Sequence, residues 1–266
     1  MPRIKIFQIS HVPIAPLNRN AQFPVIAVSN FGQHVQPDNH LLFSDRLGQS
    51  IAQFNDDFSE LTAHYWVWRN MEDLDYVGFF HHRRFFNFSK PLADNYPKVL
   101  LPGYDQCVGN FCTSDQAEAA IRLLDFCDIL TIRAEHNKDP LDLRWPSHHV
   151  PEVWEVLKDV LRRQFGFLKA DAFFALNRRL VWYPIFVTRW ETFCSLIPQL
   201  FDILFRVRAK VNQDKAKYGV SQPNSRYLAY LSEPIMMLLI NHLRLSSQEV
   251  QLISSEDDRV PTSATP

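Results

Sequence analysis

Four consecutive side chains are the strongest candidates for chemistry in this sequence: His81, His82, Arg83 and Arg84. Two neighbouring guanidinium groups can hold a diphosphate through paired hydrogen bonds, because the planar fork of arginine matches phosphate oxygens. Imidazoles beside them can hydrogen-bond a phosphate, bind a metal ion or transfer a proton. A solvated basic edge is the alternative explanation, because charged side chains usually face water. The residue types alone therefore predict either an anion site or an exposed loop.

The segment before this basic run favours the anion site. Residues 76–80 read Tyr-Val-Gly-Phe-Phe, which is typical of a strand buried on both faces of a parallel sheet. Ligands of open α/β sheets bind outside the carboxyl ends of the strands. The basic run follows the strand directly, so we expect it to line a ligand crevice.

Two carboxylates are candidates for a general base. Glu60 lies in the first turn of a predicted helix, where its charge also suits the helix dipole, and Asn55 can cap that helix. Glu233 lies among apolar residues of another predicted helix, where a carboxylate needs a partner or a cleft. Arg226 precedes Glu233 by about two helical turns, on the same face. Structural and catalytic roles stay open for both carboxylates.

The spacing of potential ligands predicts no metal site. Asp73 and Asp75 form a D-x-D pattern, but they precede the buried strand, so a helix-to-strand turn explains them. The side chains of the adjacent His148 and His149 diverge, and His136 is too distant in the sequence to assign to the same site. The four cysteines include no C-x-x-C pair and fit no zinc pattern, which is typical of buried thiols in a reducing compartment.

Composition argues against several classes of protein. The 266 residues carry a formal net charge of -1, which argues against a broad nucleic-acid-binding surface. With only 7 glycines, the sequence contains neither a G-x-G-x-x-G motif nor a Walker P-loop, so a bound nucleotide would be held in another way. There is no signal peptide and no apolar run of about 18 residues, so we expect a cytoplasmic protein.

Apolar periodicity predicts the elements that must position these residues. Strands are predicted over residues 4–10, 24–28, 76–80 and 127–132, and helices over 56–70, 117–124, 153–165, 191–211 and 226–243. Residues 181–187 contain Pro184, so we expect an edge strand or a loop there. Residues 135–151 read as a loop.

The order of these elements indicates a single domain over residues 1–245. Strands and helices alternate over residues 1–133, which is typical of an α/β nucleotide-binding half. Residues 134–245 are mainly helical, and we expect them to form an acceptor-side half. Residues 246–266 are mostly polar and are expected to be a disordered tail.

Residues 55–86 resemble a known family. The first matching block is N-x-x-x-S-E-L-T-x-x-Y-W-x-W-R-N over residues 55–70, and the second is D-Y-V-G-x-x-H-x-R-R-F-F over residues 75–86. Both are similar to the hallmark blocks of a bacterial capsular and exopolysaccharide biosynthesis family. That family is catalogued as a domain of unknown function and is predicted to contain glycosyltransferases. Weaker similarity at residues 126–130, 200–204 and 226–233 extends the resemblance over most of residues 4–243.

The resemblance implies a GT-A-like fold, which is a Rossmann-type mixed sheet with helices on both faces and a mainly helical C-terminal part. It implies transfer of a hexose of galactose type from a UDP-sugar to a glycan or lipid-linked acceptor. Capsule, exopolysaccharide or O-antigen synthesis would be the pathway. The donor-binding residues would be Asn55, His81, His82, Arg83, Arg84 and Arg226.

In this scheme, Arg83 and Arg84 neutralise the donor diphosphate and do in part what a metal ion does in related enzymes. Glu60 or Glu233 would be the catalytic base or an orienting carboxylate on the acceptor side. A divalent cation, Mg²⁺ or Mn²⁺, stays open as a cofactor.

Three departures from the family pattern leave the activity open. His82 stands where the pattern has tyrosine, Pro184 where it has asparagine, and Pro234 where it has arginine. A catalytically degenerate glycan-binding or scaffold protein is therefore one alternative. A metal-dependent hydrolase is the other, with four histidines as ligands: His81, His82, His136 and His148.

A basic run near the end of the longest predicted helix offers a contact with an anionic membrane surface: Arg206, Arg208, Lys210, Lys215 and Lys217. A lipid-linked acceptor would make a peripheral location at the inner membrane useful. A solvated helix end is the alternative explanation for this run.

Overall fold

The computed structural model describes residues 2–14, 20–38, 40–90, 98–165, 168–181, 184–222 and 225–256. Short β-branched and aromatic runs form most of its strands. The strands are β1 (Ile4–Ser10), β2 (Val25–Ala27), β3 (Leu42–Ser44), β4 (Tyr76–His81), β5 (Arg84–Asn87), β6 (Lys98–Pro102), β7 (Ile129–Ile132), β8 (Glu135–His136), β9 (Arg179–Leu180), β10 (Phe186–Arg189) and β11 (Ser247–Glu256). The helices are α1 (Ser29–His34), α2 (Asn55–Phe58), α3 (Leu61–Asn70), α4 (Tyr104–Phe111), α5 (Ser114–Leu124), α6 (Leu141–His148), α7 (Pro151–Phe165), α8 (Leu168–Leu176), α9 (Trp190–Val211) and α10 (Tyr227–His242).

Strands β3, β2, β1 and β4 lie side by side in that order, and each neighbouring pair is parallel. The register of β1 and β4 runs from Ile4 opposite Tyr76 to Ile9 opposite His81. This is the strand order of a Rossmann nucleotide-binding half, and its topological switch point lies between β1 and β4. The carboxyl ends of these two strands therefore border the crevice in which such sheets bind ligands.

Strand β10 lies on the other side of β4 and is antiparallel to it, with Val187 opposite Gly78. The prediction of an edge strand or loop over residues 181–187 is wrong for residues 186–187, because β10 lies between β4 and β7. Residues 181, 184 and 185 belong to no strand, as predicted, and residues 182–183 lie outside the described residues. Pro184 precedes the strand and removes no hydrogen bond from it. Gly78 allows the two strands to approach closely, since a Cβ atom there would stand 2.7 Å from Val187 Cγ2.

Strand β11 lies in the interior of the sheet, parallel to β7 and β6 and antiparallel to β5. The prediction of a disordered tail is therefore wrong for residues 247–256. Polar side chains such as Gln251, Ser254 and Ser255 are buried in this strand. Backbone hydrogen bonds to neighbouring strands stabilise β11, and the spacing of apolar residues in the sequence does not predict such pairing. Residues 257–266 lie outside the described residues.

Helices cover both faces of the sheet. Val77 and Phe79 of β4 join a core with side chains of α3, α7, α9 and α10, whereas Phe80 joins a second core with α4 and α5. This alternation follows from the two-residue period of a strand. The chain is therefore a mixed α/β protein, as predicted, and β4 is buried between two apolar layers.

The predicted helices are found with two corrections. The helix expected over residues 56–70 is divided into α2 and α3, because Ser59 has a φ of 49°. Residues 135–151, expected to form a loop, include β8 and α6. Helix α10 continues through Pro234, which lies inside it.

Candidate active site at the switch point of the sheet

Three imidazoles meet where β1 and β4 end, and we call them the histidine cluster. His11 is the first residue after β1, His81 ends β4, and His82 follows it. The ring centroids of His81 and His82 are 4.0 Å apart, and those of His11 and His82 are 4.9 Å apart. His81 and His82 are buried, whereas His11 is half-buried.

A two-residue loop, His82-Arg83, joins β4 to β5 and lies at the centre of the basic run, residues 81–84. The backbone N–H of His82 donates to the carbonyl of Ile9 at 3.0 Å, and the backbone N–H of Ser255 donates to the carbonyl of Arg83 at 3.0 Å. Strands β1 and β11 therefore hold the loop. A continuous strand would direct adjacent side chains to opposite faces, whereas the turn brings the rings of His81 and His82 together.

Glu60 faces the histidine cluster from the start of α3. The preceding Ser59 is in the left-handed region, which is uncommon for a residue other than glycine. The Asn55 amide stabilises this turn, since it donates to the Ser59 carbonyl at 3.1 Å and to the Thr62 hydroxyl at 3.4 Å. The turn places Glu60 Oε1 at 3.6 Å from His81 Nε2, with 24% of the glutamate side chain exposed. Asn55 was predicted to bind the donor, and the structure shows its amide nitrogen engaged in presenting Glu60.

Arg226 approaches from the helical half of the molecule. It immediately precedes α10 and has a φ of 50°. Its backbone N–H donates to the carbonyl of Asp56 in α2 at 2.9 Å. Its side chain is exposed, and its positive charge acts on His11. Helix α2 therefore holds Arg226 as well as the turn that presents Glu60.

Burial favours the uncharged form of two imidazoles of the histidine cluster, those of His81 and His11. It lowers the pKa of His81 well below the usual value, and the neighbouring His82 and loop arginines lower this pKa further. Burial also lowers the pKa of His11, against the opposing charge of Glu60. At neutral pH the neutral imidazoles of His81 and His11 therefore lie beside guanidinium charges, and this arrangement suits a bound anion.

The ring nitrogens of the histidine cluster lie within 4.8 Å of one another, and in the part of the chain that the structure describes no other such group could hold a metal ion. His136 in β8 and His148 in α6 are exposed and do not belong to it. The four-histidine set of the hydrolase alternative is therefore not brought together. His11 joins His81 and His82 instead.

Asp73 and Asp75 lie in the turn between α3 and β4, as predicted. The Arg3 backbone N–H donates to Asp75 Oδ2 at 2.7 Å. The Arg3 guanidinium lies 3.8 Å from Asp73 and 3.9 Å from Asp75. These carboxylates precede β4, at the end of the strand opposite to the histidine cluster.

Glu233 lies in a separate pocket. It is buried, about 10 Å from Arg226 along the axis of α10. The lining of this pocket is mainly apolar and includes Pro184. The pocket has a volume of about 320 Å³, which includes space open to bulk solvent. The buried ring of His64 connects the two regions, with Nε2 at 2.7 Å from the Pro184 carbonyl and Nδ1 at 3.2 Å from the Glu60 carbonyl. Glu60 is not among the residues that line the pocket of Glu233.

Most of the basic run near the end of α9 is paired with acids of the same chain. The pairs are Arg206 with Asp202 at 2.8 Å, Arg208 with Asp57 at 2.9 Å, Lys215 with Asp57 at 3.2 Å, and Lys210 with Asp159. This pairing offsets part of the positive charge of the run and favours the solvated helix end. Across the described ranges, no helix has both the length and the apolar character needed to cross a bilayer.

Sequence reasoning missed His11. The signal was present, because His11 directly follows the apolar strand β1, as the basic run follows β4. However, His11 has no histidine or arginine beside it in the sequence, so nothing local identified it as part of a site. Only the parallel pairing of β1 with β4 brings His11 to the other two imidazoles.

The fold and the site together define a mixed α/β protein in which imidazole and guanidinium groups lie side by side at the switch point of the sheet. Residues 5–244 match the family model of a domain of unknown function, DUF4422, and the chain belongs to that family. This agrees with the resemblance to a family of unknown function; the link to polysaccharide synthesis stays a prediction. None of the curated proteins matches the chain.

The chain is also similar to a solved structure, that of the bifunctional glycosyltransferase WbbM in its apo form. The TM-score is 0.75 at 23% sequence identity, over 96% of this chain and 46% of the WbbM chain. The chain therefore spans about half the length of WbbM. At this identity the similarity shows that the chain shares its fold with part of WbbM.

Proposed function

We propose that this protein is a glycosyltransferase with a GT-A-like fold. It would bind the diphosphate of a UDP-hexose at the histidine cluster and transfer the hexose to a hydroxyl of a glycan or lipid-linked acceptor. The observation that carries the proposal is the convergence of neutral imidazoles and guanidinium groups at the switch point of a Rossmann-type sheet. The fold shared with WbbM supports it.

The charge distribution of the crevice supports a diphosphate as the ligand. Arg83 lies in the loop, Arg84 is the first residue of β5, and Arg226 precedes α10 close enough for its charge to act on His11. Guanidinium groups bind phosphate oxygens in pairs, and the N–H groups of neutral imidazoles can donate to the remaining oxygens. Burial of His81 and His82 removes competing water, so these hydrogen bonds are stronger than on an open surface.

The proposed reaction follows from this arrangement. The acceptor hydroxyl attacks the anomeric carbon of the hexose, the bond from that carbon to the diphosphate oxygen breaks, and UDP leaves. The arginines stabilise the negative charge that develops on the leaving diphosphate. Glu60 accepts the hydroxyl proton, because it is partly exposed beside the cluster, whereas Glu233 is buried in another pocket.

A divalent cation is a common partner of diphosphates, and the donor atoms of this site decide which ions fit. Mg²⁺ requires oxygen ligands, whereas the histidine cluster offers nitrogen atoms, with Glu60 as a neighbouring carboxylate. Nitrogen ligands suit zinc, cobalt or nickel, and the neighbouring arginines oppose the approach of any cation. The proposal therefore assigns the neutralisation of the diphosphate to the arginines and no step to Mg²⁺.

Titration calorimetry with UDP, with and without EDTA, tests the donor site. Arg83→Ala and Arg84→Ala should each weaken binding by about 10-fold or more, because a charge-assisted pair contributes about 1.5–3 kcal/mol. Arg69→Ala removes an exposed arginine of α3 and serves as the matched control, with binding unchanged. If both loop variants bind UDP like the wild type, the site assignment is wrong.

Donor hydrolysis without an acceptor separates an active enzyme from a degenerate binding protein. An active transferase should release UDP slowly from a UDP-hexose, because water can replace the acceptor hydroxyl. UDP binding without any such release would favour the catalytically degenerate alternative.

A further inference from the structure

A column of stacked aromatic rings runs from the interior of the helical half to its surface. The Trp154 ring, which is fully buried, lies 5.1 Å from Trp145, and Trp145 lies 4.7 Å from His149. The His149 ring stacks on Tyr230 at 4.6 Å, with an angle of 26° between the two planes. Tyr230 ends the column at the surface, with 38% of the residue exposed.

Hydrogen bonds fix the orientation of this column. The Trp154 indole N–H donates to Asp142 Oδ1 at 2.7 Å, and the Trp145 indole N–H donates to the Tyr230 carbonyl at 3.4 Å. Burial lowers the pKa of His149 to about 4, so its ring is neutral at physiological pH. An exposed tyrosine with this support loses little conformational freedom when a ligand covers it.

Tyr230 lies next to the proposed donor site. Its backbone N–H donates to the carbonyl of Arg226 at 3.1 Å, so the two residues are one helical turn apart. Residues four apart share a helix face and are separated by about 6 Å along the axis, which is comparable with the width of one sugar ring. Tyr230 therefore lies one helical turn from Arg226, on the helical side of the proposed donor site.

We propose that Tyr230 is a platform on which a sugar ring of the acceptor glycan stacks; this inference rests on the proposed function. Sugar rings combine an apolar C–H face with a polar hydroxyl rim, and a tyrosine offers an aromatic face with a polar edge. The nucleoside of a bound donor would lie over the parallel strands, where Rossmann-type sheets hold it. The helical half is then left for the acceptor.

An array of immobilised hexose, pentose and deoxyhexose oligosaccharides tests the platform in the absence of donor. The full chain should bind at least one glycan, and saturation-transfer NMR should then show contact with its C–H face. Tyr230→Ala should weaken this binding by about 10-fold, whereas Tyr230→Trp and Tyr230→Phe should retain it because each keeps an aromatic face. Phe126→Ala is the matched control, since Phe126 is 85% exposed and belongs to no ring stack among the described residues.

The supporting ring has its own test. His149→Phe keeps a stacked neutral ring and should leave glycan binding intact, whereas His149→Ala should weaken it. Equal binding by the wild type and Tyr230→Ala would overturn the proposal, and so would the absence of any bound glycan on the array. Calorimetry with UDP distinguishes the failure of this proposal from the failure of the proposed donor site. Tyr230→Ala should bind UDP like the wild type. A wild-type protein that fails to bind UDP would refute the donor site and not the platform.

Discussion

Asp45 places a carboxyl group in the interior of the parallel half, directly after β3, and the group is fully buried. Its oxygens have no hydrogen-bond partner among the described residues. Among the neighbouring side chains, Thr62 has the largest effect on the pKa of Asp45, and it lowers this pKa. The Thr62 hydroxyl donates to the Ser59 carbonyl at 3.1 Å. Burial raises the pKa of Asp45 to about 6, against the smaller opposing effects of Thr62 and Arg46.

The raised pKa of Asp45 predicts how stability changes with pH. Below about pH 4 the group is protonated in both the folded and the unfolded chain, and as pH rises through about 6 the folded chain must ionise a buried acid. The free energy of unfolding should therefore fall over this range by up to about 3 kcal/mol. Asp45→Asn should flatten that dependence in urea unfolding series at pH 4 to 8. Asp56→Asn, at an exposed position, should not.

Glu60 is the residue whose proposed role can be separated from binding. Glu60→Gln keeps the shape of the side chain and can still hydrogen-bond, but it cannot accept a proton at neutral pH. Its affinity for UDP should stay within about threefold of the wild type, whereas turnover should fall by about 100-fold or more. Glu233→Gln provides the comparison at the other candidate carboxylate. An equal loss of turnover in both variants would contradict the assignment of the base to Glu60.

At the scale of elements, strand β4 was predictable and β11 was not, for physical reasons. The apolar residues of β4 indicate that both of its faces are buried. The polar residues at its carboxyl end indicate the edge of the sheet at which a ligand is expected. Strand β11 has the sequence SQEVQLISSE, in which only Val250, Leu252 and Ile253 are apolar and buried. It is held by long-range pairing with three strands, and local propensity does not encode such pairing.

The same distinction applies to the site. The basic run and Glu60 were found because each adjoins an element with clear periodicity. The supporting role of Asn55 was not, because it depends on the left-handed conformation of Ser59. The placement of His11 depends on strand order. Residue types indicated which side chains could do chemistry, whereas topology decides which of them lie together.

The contact between β4 and β10 gives a prediction at this scale. Gly78→Ala would place a Cβ atom 2.7 Å from Val187 Cγ2 in the middle of the sheet, so one strand must shift. We expect a loss of about 1–3 kcal/mol in the free energy of unfolding, measured with urea. Gly109→Ala is the control. It lies in α4 with nothing within 4 Å of the added Cβ, so it should be neutral or gain about 0.5–1 kcal/mol.

At the scale of the whole molecule, the short helix α2 joins the two halves. The buried Asp57 pairs with Arg208 of α9 at 2.9 Å and with Lys215 at 3.2 Å. The neighbouring Asp56 carbonyl holds the backbone of Arg226. Asn55 supports the turn that presents Glu60. Helix α2 therefore contacts both Arg226 and the turn that presents Glu60, and it helps to set their relative position.

The last strand makes the fold depend on residues at the far end of the described chain. Strand β11 pairs with β7, β5 and β6, and the Ser255 backbone N–H holds the Arg83 carbonyl. A chain ending at residue 246 leaves these three strands without a shared partner and should not give a cooperative thermal transition. A chain ending at residue 256 keeps every described pairing, so it should melt within a few degrees of the full chain and bind UDP equally well. Cooperative melting of the shorter chain, followed by circular dichroism, would show that β11 is an addition to a sheet that folds without it.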